Sequence, residues 1–306
     1  MTPEQTCIPV FIMTKARGIS LMKEESPGTY IAMKYRRPFP PARLLVLAAA
    51  LLIGAAACSS EGQSTTGTAT DPLALNLAQV YSTVTSISVQ VAYEPDAEPF
   101  TGMSQGDTPY WEILQDNMEA LFLGRAIEPA VFVPWDLSGM DPIPEQDEET
   151  WTSSEIIALA RATWDQPMSG SDAFVHILFL NGYFEDNGTA NPKVLGVSYS
   201  GSSVITIFKD VVRASGSSAA VDRFVEQATL VHEAGHMLGL VDNGVPMVSE
   251  HLDPEHPRHC TNPDCVMYWL NEGAADLRDF IQQVIENDSL VLFGDECLED
   301  VRQYAP

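Results

Sequence analysis

Positively charged residues are scarce in this sequence. Its 306 residues include 16 lysines and arginines against 42 aspartates and glutamates, which gives a formal net charge of −26. A chain with this charge repels the phosphate backbone, so we do not expect it to bind nucleic acid. The same charge favours solubility and keeps the folded part away from anionic lipid headgroups.

Internal repeats and apolar runs long enough for a membrane span are also lacking. The apolar run at residues 44–57 has about fourteen residues, whereas a transmembrane helix needs about twenty. A basic patch at residues 36–43 precedes the run, and small residues followed by Cys58 end it. This order is typical of a secretory signal peptide. It also resembles the signal of bacterial lipoproteins, in which Cys58 would be lipidated and become the first residue.

The position of this signal is unusual, because signal peptides lie near the start of a chain. Met33, directly before the basic patch, would be a natural beginning, and residues 1–32 would then be an extension of the gene model. We therefore expect a leader at residues 1–57, a lipidated cysteine with a flexible tether at 58–71, and a folded domain at 72–306. The lipid would tie the domain to a bacterial cell envelope, at the outer membrane or the cell surface.

Residues 232–239 form the most informative pattern, H-E-x-x-H-x-x-G. Residues 219–231 before it lack glycine and proline and repeat apolar side chains at helical spacing, which predicts a helix. Histidines four apart lie one turn apart on the same face, so His232 and His236 can bind one Zn²⁺. Glu233 can then act as general base on a metal-bound water.

A second pattern, H-C-x4-C-x-M, follows at residues 259–267. A catalytic zinc site uses three protein ligands and leaves a fourth position open, and His259 is a candidate for the third. With the Gly239 turn and Met267, these residues resemble the metzincins, most closely the archaemetzincins, in which the third histidine is joined directly to C-x4-C-x-M. The resemblance implies an α+β zincin domain with a mixed β-sheet, an active-site helix, a Met-turn and a C-terminal helix.

The resemblance also implies the activity, which is zinc-dependent hydrolysis of a peptide or protein substrate. His232, His236 and His259 would hold Zn²⁺, and Glu233 would be the general base. Tyr268 would either assist the oxyanion or simply pack. The rival hypothesis is a non-catalytic envelope lipoprotein that binds its partner and holds zinc structurally. Glu233 argues against that rival, because a structural site has no use for a water-activating carboxylate.

The third ligand has two further candidates. Metzincins usually place it three residues after the glycine, where this sequence has Asp242, and residues 242–258 look like an insertion that delays His259. Asp242 is an alternative, because carboxylate oxygen binds zinc and snapalysin-like metzincins have an aspartate at this position. Glu272 is the other, because residues 271–276 resemble the N-E-x-x-x-D helix of thermolysin-like enzymes.

The role of the cysteines depends on the compartment. Archaemetzincins bind a second zinc with four cysteines, but no C-x-x-C follows the methionine here, so that site is not expected. In an oxidising envelope, Cys260 and Cys265 would instead form a short disulfide. Cys297 would stay single, or pair in a way that the sequence does not define. His251 and His256 are expected to be loop or rim residues.

The remaining patterns predict strands and helices in mixed order. Residues 84–93 alternate apolar and polar, which predicts a strand. Residues 174–180 form an apolar run typical of a strand buried on both faces, and His176 within it is expected to be a core histidine. Residues 196–200 are also predicted to form a strand, and the resemblance to metzincins implies that this strand borders the cleft and presents a peptide-binding edge. Other predicted elements are strands at 130–133 and 203–208 and helices at 111–123, from Ser153 or Ser154 to Thr163, at 274–286 and at 296–303.

Overall fold

The computed structural model describes five stretches of the chain, residues 71–103, 108–164, 170–215, 218–269 and 290–306. Several predicted features lie outside these residues: the leader, Cys58, nearly all of the tether, Glu272 and the helix at 274–286. Within the five stretches, no helix has the length and apolar character needed to cross a membrane.

Nine strands form two sheets in the described part of the chain. In chain order they are β1 (Ser86–Tyr93), β2 (Ala130–Phe132), β3 (Asp141–Pro142), β4 (Thr150–Trp151), β5 (Asp172–Leu180), β6 (Tyr183–Asp186), β7 (Thr189–Asn191), β8 (Gly196–Ser198) and β9 (Val204–Phe208). The main sheet has the order β2-β1-β5-β9-β8, with β3 pairing further along β1. Its strands are parallel except β8, which runs antiparallel to β9 at the edge. β4, β6 and β7 form the small second sheet.

Six α-helices complete the architecture within the same residues. They are α1 (Leu77–Val80), α2 (Glu112–Ala120), α3 (Ser153–Thr163), α4 (Lys209–Ser215), α5 (Ala219–Met237) and α6 (Asp295–Gln303), and a 3-10 turn spans Leu137–Gly139. Mixed strands and helices in this order confirm the predicted α+β class with a mixed sheet. The predicted helices in the described residues are confirmed within a few residues at their ends.

The predicted cap of α3 was wrong by one or two residues. The cap is Thr152, whose side chain accepts a hydrogen bond from the N–H of Glu155, while the Glu155 carboxylate accepts from the N–H of Thr152 over 2.8 Å. This reciprocal pair satisfies two helix-end donors at once, which a serine one position later does not do.

Strand β5 lies at the centre of the core, as its apolar run predicted. It pairs with β1 on one side and β9 on the other, and residues 177–180 are fully buried. His176 is also fully buried, and its Nε2 lies 2.9 Å from the Thr163 hydroxyl oxygen. The prediction of a core histidine is therefore confirmed.

Helix α5 packs closely against the antiparallel edge of the sheet. Gly196 of β8 makes this possible, because a Cβ at that position would lie only 2.9 Å from the Cγ2 of Thr229 in α5. The end of α5 that carries H-E-x-x-H is thereby placed alongside β8. This packing sets one wall of the candidate site.

A buried ion pair joins α4 to α5. Lys209 and Glu226 contact each other, and both side chains are fully shielded from solvent. The second carboxylate oxygen of Glu226 accepts the N–H of Phe100 over 2.7 Å, and the Lys209 ammonium lies 3.4 Å from the centre of the Phe100 ring. Burial raises the pKa of Glu226 to about 7, although Lys209 opposes that rise.

Candidate metal centre and active-site cleft

The H-E-x-x-H helix ends where the glycine predicted. Gly239 has a φ of 89°, its N–H donates to the carbonyl of His236, and the N–H of Leu240 donates to the carbonyl of Gly235. These two bonds form a Schellman end, which needs a left-handed residue that glycine adopts without strain. The chain therefore leaves the helix axis at Gly239, three residues after His236.

His232 and His236 point their Nε2 atoms at the same space. Nδ1 of His232 donates to the carbonyl of Val266 over 2.7 Å. Because a carbonyl only accepts, this bond fixes the proton on Nδ1 and leaves Nε2 as the lone-pair nitrogen. The Nε2 atoms of His232 and His236 are 3.1 Å apart.

His259 arrives from a hairpin rather than from an irregular loop. Residues 251–253 run antiparallel to residues 259–261, with the N–H of Asp253 donating to the carbonyl of His259 over 2.8 Å. Nδ1 of His259 donates to the carbonyl of Pro257 over 3.1 Å, so its Nε2 is again the lone-pair nitrogen. The segment that the sequence showed as an insertion forms the arm that carries this histidine.

The three histidines fit one metal ion. Their ligand nitrogens lie within 4.8 Å of one another, and the three rings are 4.7 to 5.4 Å apart between centres. Two nitrogens at about 2.0–2.1 Å from a tetrahedral Zn²⁺ would be about 3.3 Å apart, close to the His232–His236 separation. Burial, reinforced by the neighbouring histidines and Arg258, holds the pKa of His236 well below its usual value. The neutral imidazole that results is the form that binds metals.

Glu233 lies beside this group and is nearly buried, with 6% of its surface exposed. It also lines the cleft described below. Tyr199, just after β8, is a second polar neighbour: burial, together with the nearby Glu233 carboxylate, raises the pKa of Tyr199 to about 12. The Tyr199 hydroxyl therefore keeps its proton near neutral pH, close to the Glu233 carboxylate.

A cleft of about 290 Å³ opens beside the histidines. The edge of β8 forms one side, the end of α5 a second, and the hairpin that carries His259 a third. The side chain of Asn243 bridges two of these walls, because it donates to the carbonyl of His236 over 2.7 Å and lies 3.0 Å from the Ser200 hydroxyl. The predicted border between strand 196–200 and the cleft is thus present.

Met267 packs against Gly235 in the H-E-x-x-H helix. It is fully buried in a turn that closes with the N–H of Tyr268 donating to the carbonyl of Cys265 over 3.0 Å. A Cβ on Gly235 would come within 2.4 Å of the Met267 sulfur, so a larger residue there would force the buried methionine side chain to move. The two sequence patterns therefore meet at this contact, between the second x of H-E-x-x-H and the methionine.

The alternative third ligands do not join the histidines in the described residues. Asp242 is exposed, with a left-handed φ of 58°, and is not part of the three-histidine group. Glu272 lies outside the described residues. His256, predicted to be a rim residue, is partly buried, and its ring stacks on Trp269 with centres 3.8 Å apart.

The structure differs from the cysteine and His251 predictions. Cys260 and Cys265 are not joined by a disulfide. Instead Cys265 Sγ lies 3.7 Å from Cys297 Sγ, and both cysteines are buried. His251 is no rim residue, since it is 97% shielded and its Nδ1 lies 3.3 Å from Cys260 Sγ. Long-range packing of the terminal helix α6 brings these groups together.

Asn243 and Arg258 also line the cleft, and the sequence analysis did not single them out. Both lie in the inserted segment, which has no periodicity to assign a face. Arg258 has a positive φ of 71°. This unusual backbone conformation is seen in the structure and could not be read from the sequence.

No family model matches this chain, and no curated protein matches it in sequence. Among solved structures, the fold is similar to a zinc-dependent peptidase from Methanocorpusculum labreanum, with 13% identity and a TM-score of 0.38. The match covers 70% of this chain and 99% of that one. A likeness of this size does not define what the chain does, so the conclusion has to come from the site.

Proposed function

We propose that this protein is a zinc-dependent metallopeptidase of metzincin type. The observation that carries the proposal is the convergence of His232, His236 and His259 beside Glu233, inside a cleft that runs along a sheet edge. Three histidines with one open position are the donor set of catalytic rather than structural zinc.

Each residue of the site has a role in this proposal. His232, His236 and His259 would hold Zn²⁺, which would supply the Lewis acidity that water activation and carbonyl polarisation require. Glu233 accepts a proton from the attacking water and passes it to the leaving amine. Val266 and Pro257 fix the orientation of two ligand rings through their carbonyls, and such outer partners sharpen both position and affinity.

An extended peptide is the substrate that suits the cleft. Among the described residues β8 pairs with β9 alone, and residues of β8 line the cleft. An edge strand offers backbone N–H and C=O groups to an extended partner, which would lie across the histidines. A flexible or unfolded segment of a protein can adopt this form.

The non-catalytic rival is less well supported. A closed structural site would need a fourth protein ligand, whereas the group in the described residues contains three histidines and borders an open cleft.

The function is tested by metal-dependent cleavage of an unfolded protein. The zinc-loaded protein should cleave a denatured substrate, lose activity when a chelator removes the metal, and regain it on zinc addition. His259→Ala should weaken zinc binding more than about 100-fold, because a ligand matters more than its outer partners, which are worth about 10- to 100-fold. Asp242→Ala, at an exposed position, should change neither property.

The hypotheses that Asp242 or Glu272 is the third ligand predict the opposite result in the same zinc-binding assay. If Asp242→Ala or Glu272→Ala abolishes zinc binding while His259→Ala does not, the ligand assignment is wrong. If the zinc-loaded protein cleaves no peptide bond in any unfolded substrate, the peptidase proposal itself is wrong.

We also propose that the protein is a lipoprotein anchored through Cys58 in a bacterial envelope. Support comes from the basic, apolar and small-residue order of residues 36–58. Cys58→Ser should abolish incorporation of labelled fatty acid and shift the protein from the membrane fraction to the soluble fraction. Ser60→Ala, in the tether, is the control and should change neither. Membrane association of Cys58→Ser without fatty acid would instead indicate an uncleaved anchor.

A further inference from the structure

Four potential metal ligands meet outside the catalytic cleft. His251 lies in the first strand of the hairpin and Cys260 in the second, and Cys265 follows in the turn before Met267. Cys297 lies in the first turn of α6 (Asp295–Gln303). All four are buried, the cysteines completely. Three separate parts of the chain therefore supply one compact cluster.

The ligand atoms of His251, Cys260 and Cys297 lie within 4.8 Å of one another, and Cys265 joins this group beside Cys297. Two of the separations are close to those of a tetrahedral metal shell. His251 Nδ1 is 3.3 Å from Cys260 Sγ, and Cys265 Sγ is 3.7 Å from Cys297 Sγ. Around Zn²⁺, two sulfurs would be about 3.8 Å apart and a nitrogen and a sulfur about 3.6 Å apart, given Zn–S of about 2.3 Å. A disulfide needs about 2.05 Å, so none of these pairs is bonded.

His251 is oriented as metal-bound histidines are. Its Nε2 donates to the Asp300 carboxylate over 2.7 Å, so Nδ1 is the nitrogen that faces Cys260 Sγ and that would bind a metal in place of a proton. Asp300 is 99% shielded and is itself held, because its other oxygen accepts the N–H of Val248 over 2.7 Å. A carboxylate behind a ligand histidine is a recurring arrangement in zinc sites.

Two of the cysteine sulfurs accept hydrogen bonds from backbone N–H groups. The N–H of Gly294 donates to Cys265 Sγ over 3.1 Å, and the N–H of Asn262 donates to Cys260 Sγ over 3.4 Å. Such bonds stabilise thiolates, the form in which cysteine binds metals. Cys297 gains a similar stabilisation from its place in the first turn of a helix.

We propose that His251, Cys260, Cys265 and Cys297 bind a second, structural Zn²⁺. Three cysteines and one histidine form a closed shell with no position for water or substrate. The cysteine pattern alone argued against a four-cysteine site; the fourth donor is a histidine from the inserted segment. A reactive Cys260–His251–Asp300 nucleophile is excluded because Cys260 is completely buried.

This ion would support the catalytic site without taking part in its chemistry. Cys260 directly follows His259, and Cys265 lies two residues before Met267. Tying both to α6 holds the hairpin and the methionine turn in place. Loss of the second zinc should therefore weaken zinc binding at the three histidines without abolishing it.

The first test uses the unmodified full chain. Purified under reducing conditions and saturated with zinc, it should hold two zinc ions per chain by elemental analysis. Replacement by Co²⁺ should give the intense near-ultraviolet bands of thiolate-to-cobalt charge transfer, which a three-histidine site cannot produce. His259→Ala should keep those bands and one bound ion, so the outcome does not depend on the peptidase proposal.

Variants assign the bands to these residues. Cys297→Ser and His251→Asn should lower the bound metal from two ions to one and weaken or remove the charge-transfer bands. Asp300→Asn should weaken the second site by about 10- to 100-fold. His256→Asn and Asp253→Asn are the controls, since this pair shows the same histidine–carboxylate contact, 3.0 Å, outside the cluster.

Three results would overturn the proposal. One is a wild-type chain that binds a single zinc and gives no thiolate–cobalt bands. Another is a disulfide among the three cysteines in protein isolated from cells without added oxidant. The third is bound iron with acid-labile sulfide in place of zinc. All three results are measured on the wild-type protein, so they do not depend on whether a variant folds.

Discussion

Replacing Glu233 by glutamine is expected to lower kcat for peptide hydrolysis by about 100- to 10,000-fold, the usual contribution of a general base. Glutamine preserves the size and the hydrogen-bonding oxygen of the side chain but cannot accept a proton. The metal ligands are untouched, so the bound zinc should be unchanged. KM should change little, because Glu233 acts on water and the leaving amine rather than on the bound peptide.

The matched control is Glu250→Gln, which removes the same charge from an exposed position in the inserted segment. It should leave kcat, KM and zinc content unchanged. The decisive measurement is kcat together with zinc content for both variants. A Glu233→Gln protein that keeps zinc and full activity would remove Glu233 from the proposed chemistry.

Replacing Lys209 by methionine is expected to lower the free energy of unfolding by about 3–5 kcal/mol, the usual cost of leaving a buried charge without its partner. Glu226 would stay fully buried, and the N–H of Phe100 would be its remaining hydrogen-bond donor among the described residues. The double variant Lys209→Met/Glu226→Gln should recover most of this loss. Glutamine keeps an oxygen for the Phe100 N–H and carries no charge.

The loss in Lys209→Met should depend on pH. Burial already raises the pKa of Glu226 from 4.5 to about 7, and without the opposing Lys209 charge it should rise further. A carboxyl group with a raised pKa in the folded state stabilises the fold below its unfolded pKa, and that stability is lost as the pH rises through the folded pKa. Urea unfolding should therefore show a smaller penalty near pH 5 than near pH 8.

Arg302→Met provides the comparison for this prediction. Arg302 pairs with Glu299 at the surface, where both side chains are exposed, so its removal should cost at most about 1 kcal/mol at either pH. If Lys209→Met costs no more than Arg302→Met, the buried pair is not a stability determinant. Equal penalties near pH 5 and near pH 8 would show that Glu226 does not titrate as described.

Much of the fold and part of the site could be predicted because their signals are local. The alternation at residues 84–93 and the apolar run at 174–180 matched β1 and β5 closely. Helical spacing predicted α5, and a glycine after it predicted the turn at Gly239. Each of these patterns reflects backbone geometry within one element.

Predictions that needed contacts between elements were weaker. The cap of α3 shifted to Thr152 because capping depends on a reciprocal bond with Glu155. The disulfide between Cys260 and Cys265 was predicted from nearness in sequence and compartment, yet the described thiols cluster with Cys297. His251 could not be assigned because its partners lie 9 and 49 positions away.

The sequence by itself determined which chemical groups lie together at the end of α5. Its H-E-x-x-H spacing sets two imidazoles and a carboxylate on one helix end, since a helix repeats every 3.6 residues. Only the tertiary structure decided that His259 meets them, that Met267 packs against Gly235 and that β8 forms a wall of the cleft. It also gathered the His251 cluster from residues of the hairpin and α6. These arrangements arise from packing of segments far apart in the chain, which no local repeat encodes.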